Sequence, residues 1–348
     1  MELLVLGINH KTAAIEVREK FYLTPTQQEL LLSQLKNDPN VAEAFVISTC
    51  NRTELYLHCV SDTFNTDLFF NLISSIKKID LDKKLISTVY MYKDAEVVSH
   101  LFNVACGMDS LVLGEKQILG QVKLSFERSA QMGLFSKHFN ILSNLAIRAG
   151  KKAQTETHIG SGGSSVSWAA ISMAQKIIGD LTKASVLIIG AGKMSKLAVG
   201  QIFNKGFKKL YLMNRTPENA EPLAQKFNAE TVPFCDIKEV LSQVDLVFCA
   251  SGAPHYIIDQ KTLVKVMPQR AQKPIVFLDI SMPRNISPDI TALAGVSLYT
   301  IDDLEGIVQE NMAKRQEAVL QVQIIVQNKI KEYFEKISDL TASSFKYA

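Results

Sequence analysis

A short apolar strand that runs straight into a glycine-rich turn and a helix fixes what the middle of this 348-residue chain can become. The strand is Ser185-Val186-Leu187-Ile188-Ile189, and Gly190-Ala191-Gly192-Lys193-Met194-Ser195 opens the helix. Such an order predicts the first turn of a dinucleotide-binding βαβ unit, where glycines let backbone amides approach a pyrophosphate at a helix N-terminus. A Gly-x-Gly pair is weak alone, and Ser195 holds the third glycine position. Context strengthens it. A second strand over residues 210–213 ends at Asn214-Arg215-Thr216, about twenty-five residues after Gly190. An NAD site places Asp or Glu there for the ribose 2′-hydroxyl, whereas a neutral amide followed by arginine suits the 2′-phosphate of NADP. Further strands over 246–250 and 275–278 alternate with helical patterns such as 217–227, which predicts a parallel sheet covered on both faces. Ser251-Gly252-Ala253 is expected on the nicotinamide side, and the segment 279–284 reads as the exit from the last strand.

The second feature is Ser48-Thr49-Cys50-Asn51-Arg52-Thr53-Glu54, between an apolar run at 42–47 and an alternating run at 55–58. Both runs read as strands, so a cysteine, an arginine and a carboxylate meet at a strand-to-strand connection. A thiolate attacks carbonyls well; a guanidinium beside it favours the anion and can bind a carboxylate through two parallel hydrogen bonds. An unperturbed thiol is only roughly 3% ionised at neutral pH, so some such neighbour is needed. The competing reading of Cys50 is a buried small hydrophobe.

Around this stretch the first half reads as a compact α+β unit. Residues 2–8 form a strand, with Gly7 to Thr12 as its exit. A helix at 25–35 starts at Thr24 with Pro25 in its first turn, another covers 65–76, and a short strand covers 89–92. From Asp94, read as a helix cap, the pattern stays helical. His100 falls beside the apolar stripe of Val97, Leu101 and Val104; it is either a satisfied structural histidine or a proton donor to an alcohol leaving group. The segment 107–121 mixes Ser110, Glu115, Lys116, Gln117 and Gln121 with aliphatics and three glycines, each costing about 1 kcal/mol in a plain helix. It reads as a ligand-approach segment or as a loop followed by a polar helix face.

These residues together resemble glutamyl-tRNA reductase. The matching pieces are Gly7-Ile8-Asn9-His10-Lys11-Thr12-Ala13, Ser48 to Tyr56, and His100-Leu101-Phe102. They continue with Met108 to Lys123, Thr155-Glu156-Thr157-His158-Ile159-Gly160 and the nucleotide-binding signals, spanning residues 1 to about 335. The resemblance implies a catalytic α+β domain over 1–155, a Rossmann-type doubly wound NADP-binding domain over 160–300, and a long spinal helix over 301–348. It implies that NADPH reduces glutamyl-tRNA to glutamate-1-semialdehyde through a Cys50 thioester, opening the five-carbon route to tetrapyrroles. Arg52 then takes the glutamate side-chain carboxylate, and Thr49, Asn51, Ser110, Glu115, Lys116, Gln117 and Gln121 shape the substrate pocket. His100 is the proton donor or orienting residue, and no metal is needed. Gly190, Ala191, Gly192, Lys193, Met194, Ser195, Asn214 and Arg215 hold the cofactor. Family members also imply a homodimer and delivery of the aldehyde to glutamate-1-semialdehyde aminotransferase. This chain departs from the family pattern at Lys116, usually proline, at Cys106, usually serine, and at Gln154, usually arginine.

From Asp302 onward Gly and Pro are almost absent, and Val308, Met312, Val319, Val322, Val326 and Ile330 recur at helical spacing. One amphipathic helix on the order of 50–60 Å is expected. The chain stops at Ala348, which leaves little room for the family's helical dimerisation domain. Composition adds exclusions. A net charge of +3 permits a nucleic-acid partner without arguing for one, since a dedicated binder shows a stronger basic patch. Five cysteines without a C-x-x-C pair offer neither a disulfide framework nor a zinc site and suit a cytoplasmic protein. The apolar start breaks off at Asn9-His10-Lys11, unlike a signal peptide, and no run reaches the roughly 20 residues of a membrane helix. Two rival readings stand beside the reductase: an NADP-dependent dehydrogenase of a small metabolite, which leaves Cys50 without a role, and a catalytically silent tRNA-binding relative.

Overall fold

The structure, a computed structural model, describes residues 2–60, 64–160, 166–271, 273–304 and 316–345, without the side chains of 341–345. The chain divides into two compact units, residues 1–164 with 311–348, and residues 165–310.

The first unit is built on a four-stranded antiparallel sheet of β1 (Glu2–Asn9), β2 (Val41–Ser48), β3 (Arg52–Cys59) and β4 (Tyr90–Lys93), in the order β2-β3-β1-β4. β1 reads as a nearly continuous apolar run, and β3 is buried along its whole length, polar residues included, because both faces are covered. Leu4, Leu6, Ala44, Val46, Leu55 and Leu57 pack with α1 (Ile15–Phe21), α2 (Pro25–Lys36) and α3 (Thr66–Lys77). The alternate residues Leu3, Val5, Phe45, Ile47 and Tyr56 pack with α4 (Ala95–Ala105), α5 (Lys116–Gln131) and α6 (Lys137–Glu156). That is the period-two division of a pleated strand. Thr24 starts α2 with a capping box completed by Gln27, as Pro25 in the first turn anticipates. Asp94 does not cap α4. Its side chain makes no cap bond there, and Oδ1 accepts from the Leu3 amide at 2.9 Å, tying the helix start to β1.

Glu43 does the capping that sequence spacing could not show. Buried on β2, its Oε1 accepts from the amides of Ser136 (2.5 Å) and Phe139 (3.0 Å) at the head of α6, and Oε2 meets His58 Nδ1 at 2.8 Å. A carboxylate at a helix N-terminus satisfies orphan amides and the helix dipole together.

The second unit holds six parallel strands: β5 (Ser185–Ile189), β6 (Lys209–Met213), β7 (Glu230–Thr231), β8 (Leu246–Cys249), β9 (Ile275–Asp279) and β10 (Val296–Thr300). Their order is β10-β9-β8-β5-β6-β7; α7 (Val166–Ile178) precedes β5, and α8 (Lys193–Lys205), α9 (Glu221–Phe227), α10 (Ile237–Gln243) and α11 (Gln260–Val266) connect successive strands. The strand order reverses between β5 and β8, which opens the ligand crevice of a doubly wound sheet at the end of β5. The expected helix at 217–227 begins as a short 3-10 turn, Pro217–Asn219, and becomes α-helical from Glu221.

At the C-terminus, α12 (Gln316–Phe345) is a 30-residue helix, about 45 Å long. It packs on α4 and α6 within the first unit. Val322 and Val326 are buried there, and Val319 and Ile330 are partly so. Val308 and Met312 lie outside the described residues. Among the described residues no helix is long and apolar enough to cross a membrane.

Candidate active site

Cys50 sits at the tip of the β2–β3 connection. The turn closes where the Thr49 amide donates to the Arg52 carbonyl at 2.8 Å. Thr49 Oγ1 accepts from the amides of Asn51 (3.1 Å) and Arg52 (3.3 Å), so Thr49 fixes the turn from its own side chain. The His10 amide donates to the Asn51 carbonyl at 2.9 Å, which lays the exit of β1 against the same turn. Cys50 is half-buried, while Cys59, Cys106 and Cys249 are buried and Cys235 is exposed.

Behind the thiol lies a buried charge cluster with Glu54 at its centre. Arg52 Nη1 donates to Glu54 Oε1 at 2.6 Å and to Asp109 Oδ2 at 2.9 Å, and Nη2 donates to the Asp109 carbonyl. Tyr90 OH donates to Glu54 Oε1 at 2.5 Å, Tyr56 OH to Oε2 at 2.7 Å, and His100 Nε2 lies 3.0 Å from Oε1. Lys11 Nζ closes the cluster on Asp109. Burial works against ionisation of Glu54, but Arg52 and His100 hold it well below the usual carboxylate range. Burial likewise opposes the Arg52 cation, yet Glu54 and Asp109 keep it charged. Glu54, His100 and Asp109 bring ligand atoms within 4.8 Å of one another. The Arg52 guanidinium bridges the two carboxylates.

Two partnerless atoms stand out in this cluster. Arg52 Nε and Asn51 Oδ1 are buried without a hydrogen-bond partner, a donor and an acceptor close to Cys50 in sequence. His10 Nδ1 is a third, and burial and then Arg52 lower that imidazole to about 4, so His10 is neutral. An unmet buried polar group is costly unless a ligand completes it.

The thiol itself is protonated at rest. Burial and then Glu115 push Cys50 up to about 12, opposed by Arg18 and by Arg52. Arg18, on α1, is 2% exposed; its Nε donates to the Cys50 carbonyl at 3.2 Å and its Nη1 to the Ala13 carbonyl at 2.8 Å. The sequence pattern assigned no helix to 15–21, so Arg18 went unnoticed; so did Asp109, Tyr90 and His10. The nearest signal was the Gly7-to-Ala13 stretch, which contains His10 and leads into α1.

The 107–121 segment is a loop followed by α5. Glu115 is buried beside Cys50, Ser110 and Gln117 are half-buried, and Lys116 and Gln121 are exposed. Gly114 has φ +75°, and a Cβ there would strike the Ile159 carbonyl. The glycine therefore serves close packing of this loop on the Thr157–Gly160 stretch. Lys116 joins that packing: its carbonyl accepts from Gln154 Nε2 at 3.3 Å, and its side chain covers Gly160. Gly114→Ala is expected to lower the melting temperature of the first unit by several degrees, through positive-φ strain and the clash, and to disturb Glu115 next to it. Differential scanning calorimetry beside the wild type checks this.

In the second unit a cavity of about 420 Å³ opens at the end of β5. Gly190, Asn214, Arg215, Phe234, Ser251, Gly252, Ala253 and His255 line it, with Tyr256 and Ile257. Gly190 has φ +108°, and a Cβ would meet the Ala250 carbonyl, whereas Gly192, at the N-cap of α8, has open space. Ser195 turns inward, fully buried, with Oγ 3.4 Å from the Ala250 carbonyl, and Met194 carries its carbonyl to Ser167. Asn285 donates to the carbonyls of Ala253 and His255 and accepts from Ser251 Oγ, which shapes the cavity floor. Asp279 takes the amides of Ser281, Asn285 and Ile286, so the 279–284 segment orders the strand exit.

Comparison with known proteins agrees with both halves. A sequence profile described as glutamyl-tRNAGlu reductase, N-terminal domain, matches residues 6–157, and one described as shikimate / quinate 5-dehydrogenase matches 172–307. Glutamyl-tRNA reductase of Thermodesulfovibrio yellowstonii is 40% identical over 347 residues, covering 98% of this chain and 81% of that protein. The enzyme of Bacillus subtilis is 37% identical over 341 residues, covering 98% and 74%. The solved glutamyl-tRNA reductase from Methanopyrus kandleri, at 29% identity, superposes with a TM-score of 0.53 over 97% of this chain and 81% of its own.

Proposed function

The chain belongs to the glutamyl-tRNA reductase family, and from that premise we propose that Cys50, Arg52 and His100 convert glutamyl-tRNA to glutamate-1-semialdehyde with NADPH. It is an oxidoreductase that uses a nicotinamide cofactor and opens tetrapyrrole biosynthesis. The observation that carries the site assignment is the half-buried Cys50 thiol on a turn locked by Thr49, backed by the Arg52–Glu54–His100 cluster.

In the first step the Cys50 sulfur bonds to the glutamyl carbonyl carbon as the bond to the tRNA ribose oxygen breaks, and the thiol proton ends on that oxygen. His100 is tethered through Nε2 to Glu54 and lines an open cavity of about 550 Å³ with Tyr92, Ser99 and Asn103, where a leaving alcohol can receive the proton. Arg52 takes the side-chain carboxylate of glutamate: its Nε lacks an acceptor, and the carboxylate displaces Asp109, which lies at the open side with Lys11. Thr49 and Asn51 shape the turn; Ser110, Glu115, Lys116, Gln117 and Gln121 belong to the pocket segment. In the second step hydride adds to the thioester carbon, the carbon–sulfur bond breaks, and the thiolate takes a proton. A thioester accepts hydride more readily than a carboxylate, which is the reason for the covalent detour.

The cofactor is NADPH. Arg215 and Asn214, which line the cavity, would hold the 2′-phosphate, and the open Gly192 at the start of α8 would let backbone amides take the pyrophosphate. Lys193 stands at the first turn of the same helix. Arg215→Ala is expected to weaken NADPH at least tenfold, the value of one charged hydrogen bond of about 1.5–3 kcal/mol, and to leave NADH unchanged. Aldehyde formation from glutamyl-tRNA with each nucleotide tests reaction and cofactor together; equal rates with NADH would remove the NADP assignment. The small-metabolite dehydrogenase reading accounts for the second unit alone and gives Cys50 nothing to do. Assembly as a homodimer and delivery of the aldehyde to the aminotransferase belong to the same family proposal.

A further inference from the structure

We propose that the open cavity beside His100 is the subsite for the 3′-terminal adenosine of the RNA: the base stacks on the Tyr92 ring, Asn103 accepts from its exocyclic amino group, and the ribose faces His100. This rests on the proposed function, in which His100 serves the leaving alcohol, and it assigns residues to the nucleoside that carries that alcohol.

The cavity, of about 550 Å³, lies in the size range of small-molecule sites. It is built on an amphipathic helix. Val97, Val98, Leu101, Phe102 and Val104 of α4 are buried, whereas Glu96, Ser99, His100 and Asn103 recur at three- to four-residue spacing on another face and line the cavity. A polar helix face is ordinarily only solvated. Here Tyr92 from β4 and Met108 from the loop before α5, both half-buried, wall it in.

Tyr92 is a prepared platform. Its ring centroid lies 5.1 Å from that of Tyr90, in a stacked pair, and 5.1 Å from that of His100. A ring already held by neighbours loses little freedom when a base stacks on it. Single-stranded RNA ends are recognised in this way, by aromatic stacking and by hydrogen bonds to base edges. Asn103 supplies the edge contact: its Nδ2 donates to the Ser99 carbonyl at 2.8 Å, which fixes the amide and leaves Oδ1 as an acceptor. Adenine offers an N–H donor at its amino group, where inosine has an oxygen. Charge favours the nucleoside over a phosphate. The lining brings the carboxylates of Glu96 and Asp109, and its lysine, Lys11, is already paired with Asp109. A phosphate would meet like charge there, and a neutral base and sugar would not.

The test is label transfer to Cys50, without nicotinamide nucleotide, from glutamate-labelled esters of adenosine, inosine and methyl riboside. The three share the leaving ribose hydroxyl and differ in the base. One base stacked on an aromatic ring is worth about tenfold or more in binding. Below saturation the adenosine ester should therefore label Cys50 faster than the methyl riboside ester by that factor, with the inosine ester between them. Tyr92→Leu should bring the adenosine-to-riboside ratio close to unity, and Tyr92→Phe should keep it. Asn103→Ala should remove the difference between adenosine and inosine. Ratios are compared because Tyr92 also packs near His100, and damage there slows all three esters alike. A wild-type ratio near unity, or a ratio that survives Tyr92→Leu, overturns the proposal. So does label from glutamyl-tRNA with none from the adenosine ester. Should Tyr92→Leu fail to fold, the adenosine-to-inosine ratio in Asn103→Ala decides. Failure of the reductase reading has a different signature: neither glutamyl-tRNA nor any ester then labels Cys50.

Discussion

In a single turnover with glutamate-labelled glutamyl-tRNA and no nicotinamide, the wild-type chain retains the label on protein, hydroxylamine releases it, and Cys50→Ser retains none. Steady-state aldehyde formation by Cys50→Ser falls by roughly a thousandfold or more, on the order of 4 kcal/mol of barrier. Two effects combine. A serine hydroxyl is far less ionised than a thiol, and the oxygen ester it would form accepts hydride poorly. The other cysteines cannot substitute: Cys59, Cys106 and Cys249 are buried, and Cys235 belongs to the second unit. Cys235→Ser therefore behaves as wild type and serves as the control. Label on the wild-type chain that survives Cys50→Ser would place the covalent step elsewhere and end the thioester mechanism proposed here. A wild-type chain that binds the tRNA but takes up no label would instead favour the silent RNA-binding relative.

The second large effect is at Glu54. Glu54→Gln leaves the buried Arg52 cation with Asp109 alone and gives Tyr56, Tyr90 and His100 one acceptor oxygen in place of two. Breaking a buried pair by neutralising one partner costs about 3–5 kcal/mol. The loss belongs to the first unit, and two observables compared separate it from the second. The single tryptophan, Trp168, lies in the second unit, whereas Tyr56 and Tyr90 lie in the first and Tyr211, Tyr256 and Tyr299 in the second. Urea unfolding followed by near-UV dichroism should gain an earlier transition in the variant, and the tryptophan fluorescence transition should stay in place. The effect has a pH signature. Glu54 is held below its ordinary 4.5, so its contribution is present above that value and is lost as pH falls toward the folded-state value. The gap between wild type and Glu54→Gln therefore narrows between pH 6 and pH 3. A gap independent of pH would mean that Glu54 acts through shape rather than charge.

The strand–Gly-x-Gly–helix at 185–195 and the Asn214-Arg215 strand end were legible because a βα turn is local: a few residues carry the backbone demand, and Gly190 meets it with φ +108°. The parallel sheet followed from alternating periodicities for the same reason, although the two-residue β7 was too short to show. The turn that carries Cys50 was legible too, since Thr49, Cys50 and Arg52 lie close together in sequence. Asp94 was misread because a cap residue and a cross-strand tether look alike until β1 is placed beside it. Helix α1 was missed because seven residues give a weak period, and with it went Arg18.

The sequence by itself determined most of the elements, the glycine turn after β5 and the family, all of which rest on residues close together along the chain. Only the tertiary structure decided which charges meet. Arg52 and Asp109 are 57 residues apart and His100 and Glu54 are 46 apart, yet each pair lies within hydrogen-bonding distance. Arg18 reaches the Cys50 carbonyl across 32 residues of chain. Electrostatic partnership depends on distance and dielectric, and both are set only when the sheet and its covering helices have excluded water from the space between them.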